Sequence, residues 1–209
     1  VNDRRTEAAA VPARAEGARR CFGDGDPLYE RYHDEEWGFP VLDERGLFEK
    51  LSLEAFQSGL SWRTILSRRD AFRVAFAGFQ ADVLASYGQR DVDRLLADAS
   101  IIRNRAKIEA TLANARATLA ARDRGVPLEA LVRSHAPKPR RRAPSSWAAV
   151  PATTPESEAL ARELKSRGFK FVGPTTVYAL MQACGLVNDH LSRCPSRPVV
   201  ERARRAAGL

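Results

Sequence analysis

Apolar residues in this chain recur at three- and four-residue spacing, and no stretch alternates convincingly between apolar and polar positions. That period belongs to helices packed on one another, so the expected fold is all-α. The longest case covers residues 104 to 122, where Ile108, Leu112, Ala115 and Leu119 share one stripe and Gly125 and Pro127 end it. Asp43 can cap a helix beginning near Glu44, with Leu47, Phe48, Leu51, Leu53 and Phe56 as its apolar face and Gly59 as its stop. A second helix starts near Ser61 and gathers Trp62, Ile65 and Leu66. Phe72, Phe76 and Phe79 continue the helical spacing, and shorter helices follow near 81 to 87 and 91 to 98. Thr154 and Pro155 open a helix over 156 to 167 that Gly168 closes, and another runs from Thr175 toward Cys184 and Gly185. Residues 134 to 155 hold too much proline for regular structure and read as a connector.

With 209 residues, 44% of them hydrophobic, such helices can bury roughly 70% of the unfolded chain's surface, so the core needs neither a disulfide nor a metal merely to form. Three cysteines suit a reducing compartment. The lack of a long apolar run, and charge where an apolar leader would stand, give the expectation of a soluble, cytoplasmic protein with no membrane partner. Thirty-four Lys and Arg against 26 Asp and Glu leave a net charge of +8, which favours an anionic partner without naming it. Residues 1–20 read as a mobile basic arm, 21–195 as the ordered unit and 196–209 as a C-terminal tail.

Four residues near the two ends of the ordered unit have the chemistry of metal ligands. Cys21 and His33 lie at one end, and His190 and Cys194 form a compact H-x3-C pair at the other. Two thiolates and two neutral imidazoles would close a tetrahedral zinc shell with no open position, a structural site joining the N- and C-terminal segments. Buried histidines satisfying hydrogen bonds, with cysteines filling core space, account for the same residues. Cys184, among Met181, Ala183 and Leu186, reads as a core cysteine.

Two further features bear on chemistry. Between Leu164 and Gly185 the chain reads as helix, the tight turn GFKFVGPTT, then helix. Gly168 and Gly173 permit close approach of main chain to a ligand, and the helix start at Pro174, Thr175 and Thr176 could hold a phosphate, with Lys165, Arg167 and Lys170 nearby. An ordinary helical turn with solvated bases fits equally, as does a solvated run for KPRRR at 138–142. Glu54 sits among apolar neighbours in LSLEAFQSGLSW, where a carboxylate is costly unless it is paired, opposed by a cation or open to a cavity. Tyr32, Trp37 and Trp62 are the aromatics that could stack on an electron-deficient ring there. Core packing for the aromatics and a surface position for Glu54 are the plainer alternatives.

The blocks DPLYERYHDEEWGFP, LFEKLSLEAFQSGLSWRTIL, SIIRNRAKIEATLANA and GFKFVGPTTVYALMQACGLVNDH, followed by Cys194, resemble the bacterial 3-methyladenine DNA glycosylase I family in order and in content over roughly residues 21 to 194. The resemblance implies a helix-hairpin-helix glycosylase fold with a zinc-stapled lobe. Cys21, His33, His190 and Cys194 would be its ligands, Glu54 the base-recognising carboxylate, Tyr32 and Trp62 pocket aromatics, and Gly168 through Gly173 the hairpin. It further implies hydrolysis of the N-glycosidic bond of 3-methyladenine in double-stranded DNA, with no organic cofactor and no catalytic aspartate. The expected enzyme is a monomer, and the alternative is a zinc-containing DNA-binding module without catalysis. This chain departs from the family pattern at Gly23, where a tryptophan is usual, with one residue fewer before Asp26, and at Pro174, where threonine is usual.

Overall fold

The computed structural model describes residues 19–140 and 142–209, so residues 1–18 of the expected arm, and Arg141 of the basic run, lie outside the described residues. Every regular element among the described residues is helical. Side-chain caps fix the starts of five helices. Asp26 accepts from the Leu28 and Tyr29 amides at the head of α1 (Pro27–Glu35), and Asp43 accepts from Gly46 at α2 (Glu44–Gln57). Ser61 opens α3 (Trp62–Ser67) and Asn104 opens α7 (Arg105–Asp123). Thr154 and Ser157 cap α9 (Pro155–Ser166) reciprocally, each side chain accepting from the other's amide. Between these lie α4 (Arg69–Ala75), α5 (Ala81–Ala85), α6 (Gln89–Ala97) and α8 (Leu128–Arg133). Beyond them come α10 (Pro174–Ala183) and α11 (Ser196–Ala206).

α2 is the hub: it packs against α3, α7, α8 and α10, while α7 also covers α5 and α6, and α9 pairs with α10. The core is apolar and continuous, with Leu47, Phe48, Leu51 and Phe56 of α2 meeting Ile108 and Leu112 of α7 and Leu180 and Met181 of α10. Burial of this kind, at about 25 cal/mol per Å² of apolar surface, is what holds so many short helices in place.

Three local readings differ from the structure. The helical spacing of Phe72, Phe76 and Phe79 does not mark one helix, because α4 ends at Ala75 and the chain turns through Ala77, Gly78 and Phe79, all at positive φ. The turn still stacks Phe76 on Phe79, with ring planes 6° apart, so burial rather than helix continuity explains the period. α8 went unread because a six-residue element just after Pro127 shows less than two turns of period. Residues 196–206, expected as part of a tail, form α11, whose Val199 and Val200 are buried and whose Arg204 donates to the carbonyls of Gly185 (2.7 Å) and Leu186 (3.0 Å). At the other end Arg20 belongs to the folded unit and pairs with Asp34 at 2.6 Å and Glu30 at 3.1 Å.

Candidate active site and metal centre

An open cleft of about 1340 Å³ lies between α1, α2, the first turn of α3, α4 and α11, with Tyr32, Lys50, Leu53, Trp62 and Arg69 among its walls. Glu54 follows Leu53 on α2 and stands one turn beyond Lys50. It is 6% exposed, and no hydrogen-bond donor among the described residues reaches its carboxylate. Burial pushes its pKa up to about 8, against the pull of the Lys50 ammonium. The same burial pulls Lys50 down, opposed by the charges of Glu36 and Glu54. Glu36 itself is engaged elsewhere, accepting from Arg69 at 2.8 Å.

Tyr32 and Trp62 stand edge-tilted to each other, with centroids 5.3 Å apart and planes at 45°. Rings this close touch, so a planar ligand would lie on one of their faces rather than between them. The Trp62 indole Nε1 is buried without a partner among the described residues. The Tyr32 hydroxyl is pushed well up, chiefly by burial and next by the Glu54 charge, and Tyr29 is raised by the same two causes. A partnerless carboxylate and a partnerless indole N–H thus flank one aromatic pair. Buried polar groups in folded proteins normally have partners, so both groups are available to accept one from a ligand or a water.

Trp37 belongs to a different neighbourhood. It is buried in the cluster with Tyr32 and Leu66, but its ring meets the His190 imidazole edge-on at 4.6 Å, with Phe22 at 5.2 Å and Trp147 at 6.0 Å. It does not line the cleft. Trp147 comes from the proline-rich connector and donates its indole N–H to the Cys21 carbonyl at 2.9 Å, tying that connector to the lobe.

Cys21, His33, His190 and Cys194 converge so that one donor atom from each lies within 4.8 Å of the others, a group that could hold a metal ion. Cys194 Sγ is 3.5 Å from His33 Nε2 and 3.4 Å from His190 Nδ1, and Cys21 Sγ is 3.6 Å from His190 Nδ1. Each imidazole is oriented through its other nitrogen. His33 Nδ1 contacts Asp34 at 2.8 Å, and Asp34 is itself gripped by Arg20. His190 Nε2 donates to the Trp37 carbonyl at 2.9 Å. The Leu191 amide donates to Cys21 Sγ, and the Cys21 amide points at His33 Nε2 (3.1 Å). The hydrogen bond from Cys21 and the two imidazoles hold the Cys194 thiol well below its ordinary range, while the same thiol contact and burial raise Cys21.

The hairpin between α9 and α10 lies apart from the cleft, and α2, packed on α10, connects the two. Gly168 takes φ +91, which favours glycine, and Gly173 caps α10 ahead of Pro174. Lys165, Lys170 and Thr175 are exposed, Thr176 half-buried, and Phe169 and Val172 buried. Cys184 is core, fully buried, and its thiol is pushed up to about 11 by that burial. Sequence reasoning passed over Lys50, although its four-residue spacing from Glu54 on one helix face was a usable signal. It also passed over Asp34, Arg20 and Trp147, whose roles depend on contacts distant in the chain.

The methyladenine glycosylase family profile matches residues 22–197. The chain belongs to the methyladenine glycosylase family. It is 46% identical over 174 residues to DNA-3-methyladenine glycosylase 1 of Escherichia coli (strain K12), covering 83% of this chain and 93% of that protein. A crystal structure of 3-methyladenine DNA glycosylase I (TAG) superposes with a TM-score of 0.79 at 45% identity, over 87% of this chain and 98% of the other. A structure of the enzyme from Staphylococcus aureus, solved for the structural basis of 3-methyladenine recognition, gives a TM-score of 0.81 at 35% identity, over 85% of this chain and 95% of the other. Glu54 lies behind the cleft wall formed by Leu53 and Lys50 of the same helix, with the Lys50 ammonium as the charge that opposes its own.

Proposed function

We propose that this chain is a monofunctional DNA glycosylase that hydrolyses the N-glycosidic bond of 3-methyladenine in double-stranded DNA, acting as a cytoplasmic monomer. Methylation at N3 leaves the adenine cationic and a good leaving group, so recognition of charge does much of the work of catalysis. The observation that carries the reading is Glu54: buried, without a protein donor, and raised to about 8 beside the Tyr32–Trp62 pair. A cationic purine entering there supplies both a counter-charge and N–H donors, and so lowers the carboxyl's pKa and ionises it. Normal adenine supplies no charge, and the desolvation cost of the Glu54 carboxylate is then left uncompensated.

The lesion must first leave the duplex, rotating about its backbone into the pocket. Gly168, Gly173, the exposed Lys165, Lys170 and Thr175, and the half-buried Thr176 would hold phosphates during that rotation, positioning the DNA without reading its sequence. Once the base stacks on Tyr32 or Trp62 and hydrogen-bonds Glu54, water attacks the sugar carbon, the C–N bond breaks with its electron pair going to the ring, the water gives up a proton to solvent, and the neutral methylated base and an abasic site remain. The hydrogen bonds that Glu54 accepts from the base hold it in place while the positive charge passes from the ring to the sugar.

The four-residue group fits a structural zinc. Zn–S of about 2.3 Å and Zn–N of about 2.0–2.1 Å give a tetrahedral S···N edge of about 3.6 Å, and three such separations here are 3.4, 3.5 and 3.6 Å. With two cysteines and two histidines no coordination position is left for water, so the ion would fasten the lobe and take no part in bond cleavage. The deciding experiment incubates methylated duplex DNA with the enzyme and identifies the released bases by mass spectrometry. Release of 3-methyladenine by the wild-type chain, and its loss in Glu54→Ala with the fold intact, is the expected result. Tight DNA binding without base release would replace the glycosylase with a binding module.

A further inference from the structure

The hairpin contains a feature that phosphate binding by glycines and lysines does not use. Asn114, in the middle of α7 and 1% exposed, grips one hairpin residue by both its backbone groups. Its Nδ2 donates to the Lys170 carbonyl at 3.0 Å, and the Lys170 amide donates to its Oδ1 at 2.7 Å. Phe169 before that residue and Val172 after it are anchored in the core at 3% and 0% exposure. The chain between these fixed points must pass through Phe171, which adopts φ +56 and holds its ring 41% exposed. A bulky residue in the left-handed region is strained, and such strain persists only where the surroundings over-determine it. Here three anchors flank Phe171, and the outcome is an exposed aromatic residue next in the chain to the exposed Lys170.

We propose that Asn114 is a positioning residue that sets the hairpin in its DNA-binding shape, and that the ring of Phe171 is an apolar contact lying on the deoxyribose face of the DNA backbone beside the Lys170–phosphate contact. This rests on the reading of the hairpin as the DNA-backbone contact. The ring suits a sugar, since deoxyribose is the apolar surface that alternates with phosphates along the strand.

The test measures affinity for an unmodified duplex across a salt series, together with thermal stability and hydrogen exchange at the Lys170 amide, for Phe171→Ala, Phe171→Gly, Asn114→Ala and Lys170→Ala. Lys170→Ala is expected to lower the salt slope by about one phosphate's worth. Phe171→Ala is expected to weaken binding about 3- to 10-fold with the slope unchanged, as loss of an uncharged contact requires. Phe171→Gly should weaken binding to the same extent while raising the melting temperature, because glycine adopts this φ without strain; a merely structural phenylalanine would lose stability instead. Asn114→Ala should speed exchange at Lys170 and weaken DNA binding about tenfold, with free 3-methyladenine bound as before. Unchanged duplex affinity in both Phe171 variants, or in an Asn114→Ala protein whose Lys170 amide exchanges faster, overturns the proposal. If Lys170→Ala also leaves affinity and slope untouched, the hairpin reading itself has failed.

Discussion

On the proposed role of Glu54, holding the fold and binding the base are in conflict. Its carboxyl titrates near 8 in the folded chain against an ordinary 4.5, so the native state holds a proton that the unfolded chain has lost. Stability therefore falls as pH rises from about 4.5 to about 8 and is flat above, and the full effect of such a shift is roughly 3 to 5 kcal/mol. Glu54→Gln should accordingly be more stable than the wild type by a few kcal/mol at pH 8.5 and by little at pH 4.5, measured by denaturant unfolding, while losing excision. The same proton governs the substrate. A cationic base favours the carboxylate, so affinity for alkylated DNA should rise with pH until about 8 and then level off. Lys50 supports the ionised form, and replacing it by methionine raises the Glu54 pKa further. The pH–rate limb of Lys50→Met should move upward by about half to one unit, read from single-turnover excision across pH 6 to 9.5.

At the scale of elements, α2 is capped at its start by its own Asp43 and held at its end by a neighbouring helix. Lys107 of α7 donates to the carbonyls of Phe56 (2.8 Å) and Ser58 (2.5 Å), closing the C-terminal end of the helix that carries Glu54. Lys107→Met should cost about 2 kcal/mol, since it strands two carbonyls and removes a cation from the negative end of a helix dipole; thermal unfolding checks it. Most elements were legible because an apolar stripe and a capping residue coincide, as at Asp43 with Leu47 and Leu51, or Asn104 with Ile108 and Leu112. The turn at Ala77–Phe79 was not, because phenylalanines three and four apart suit a helix and a tight buried turn alike. Nor was α11, whose stripe is two adjacent valines amid arginines and whose place depends on Arg204 meeting carbonyls eighteen and nineteen residues earlier. In the candidate site, Glu54 and the Tyr32–Trp62 pair stood out as a charge and rings in apolar surroundings. Trp37 had the same credentials and packs on His190 instead, since nothing in local spacing says which buried face a tryptophan meets.

Across the whole molecule, the metal group joins segments about 160 to 170 residues apart, Cys21 to His190 and His33 to Cys194. Zinc should be found at about one equivalent per chain by elemental analysis, and chelation should lower the melting temperature. Acid should do the same, because the cysteines bind the ion as thiolates and the histidines as neutral imidazoles, and acid protonates both. Cys194→Ser should bind zinc more weakly and melt earlier while keeping the helices of the middle, which share a core of their own. The separation of the ligands also orders events during synthesis. Domains assemble as the chain emerges from the ribosome, N-terminal parts first, yet Cys21 and His33 must wait for their partners 169 and 161 residues later in the chain. The helices from α2 to α10 are therefore free to assemble around one another while the lobe is still open, and capture of a metal ion by this group would be among the last steps in the birth of the protein.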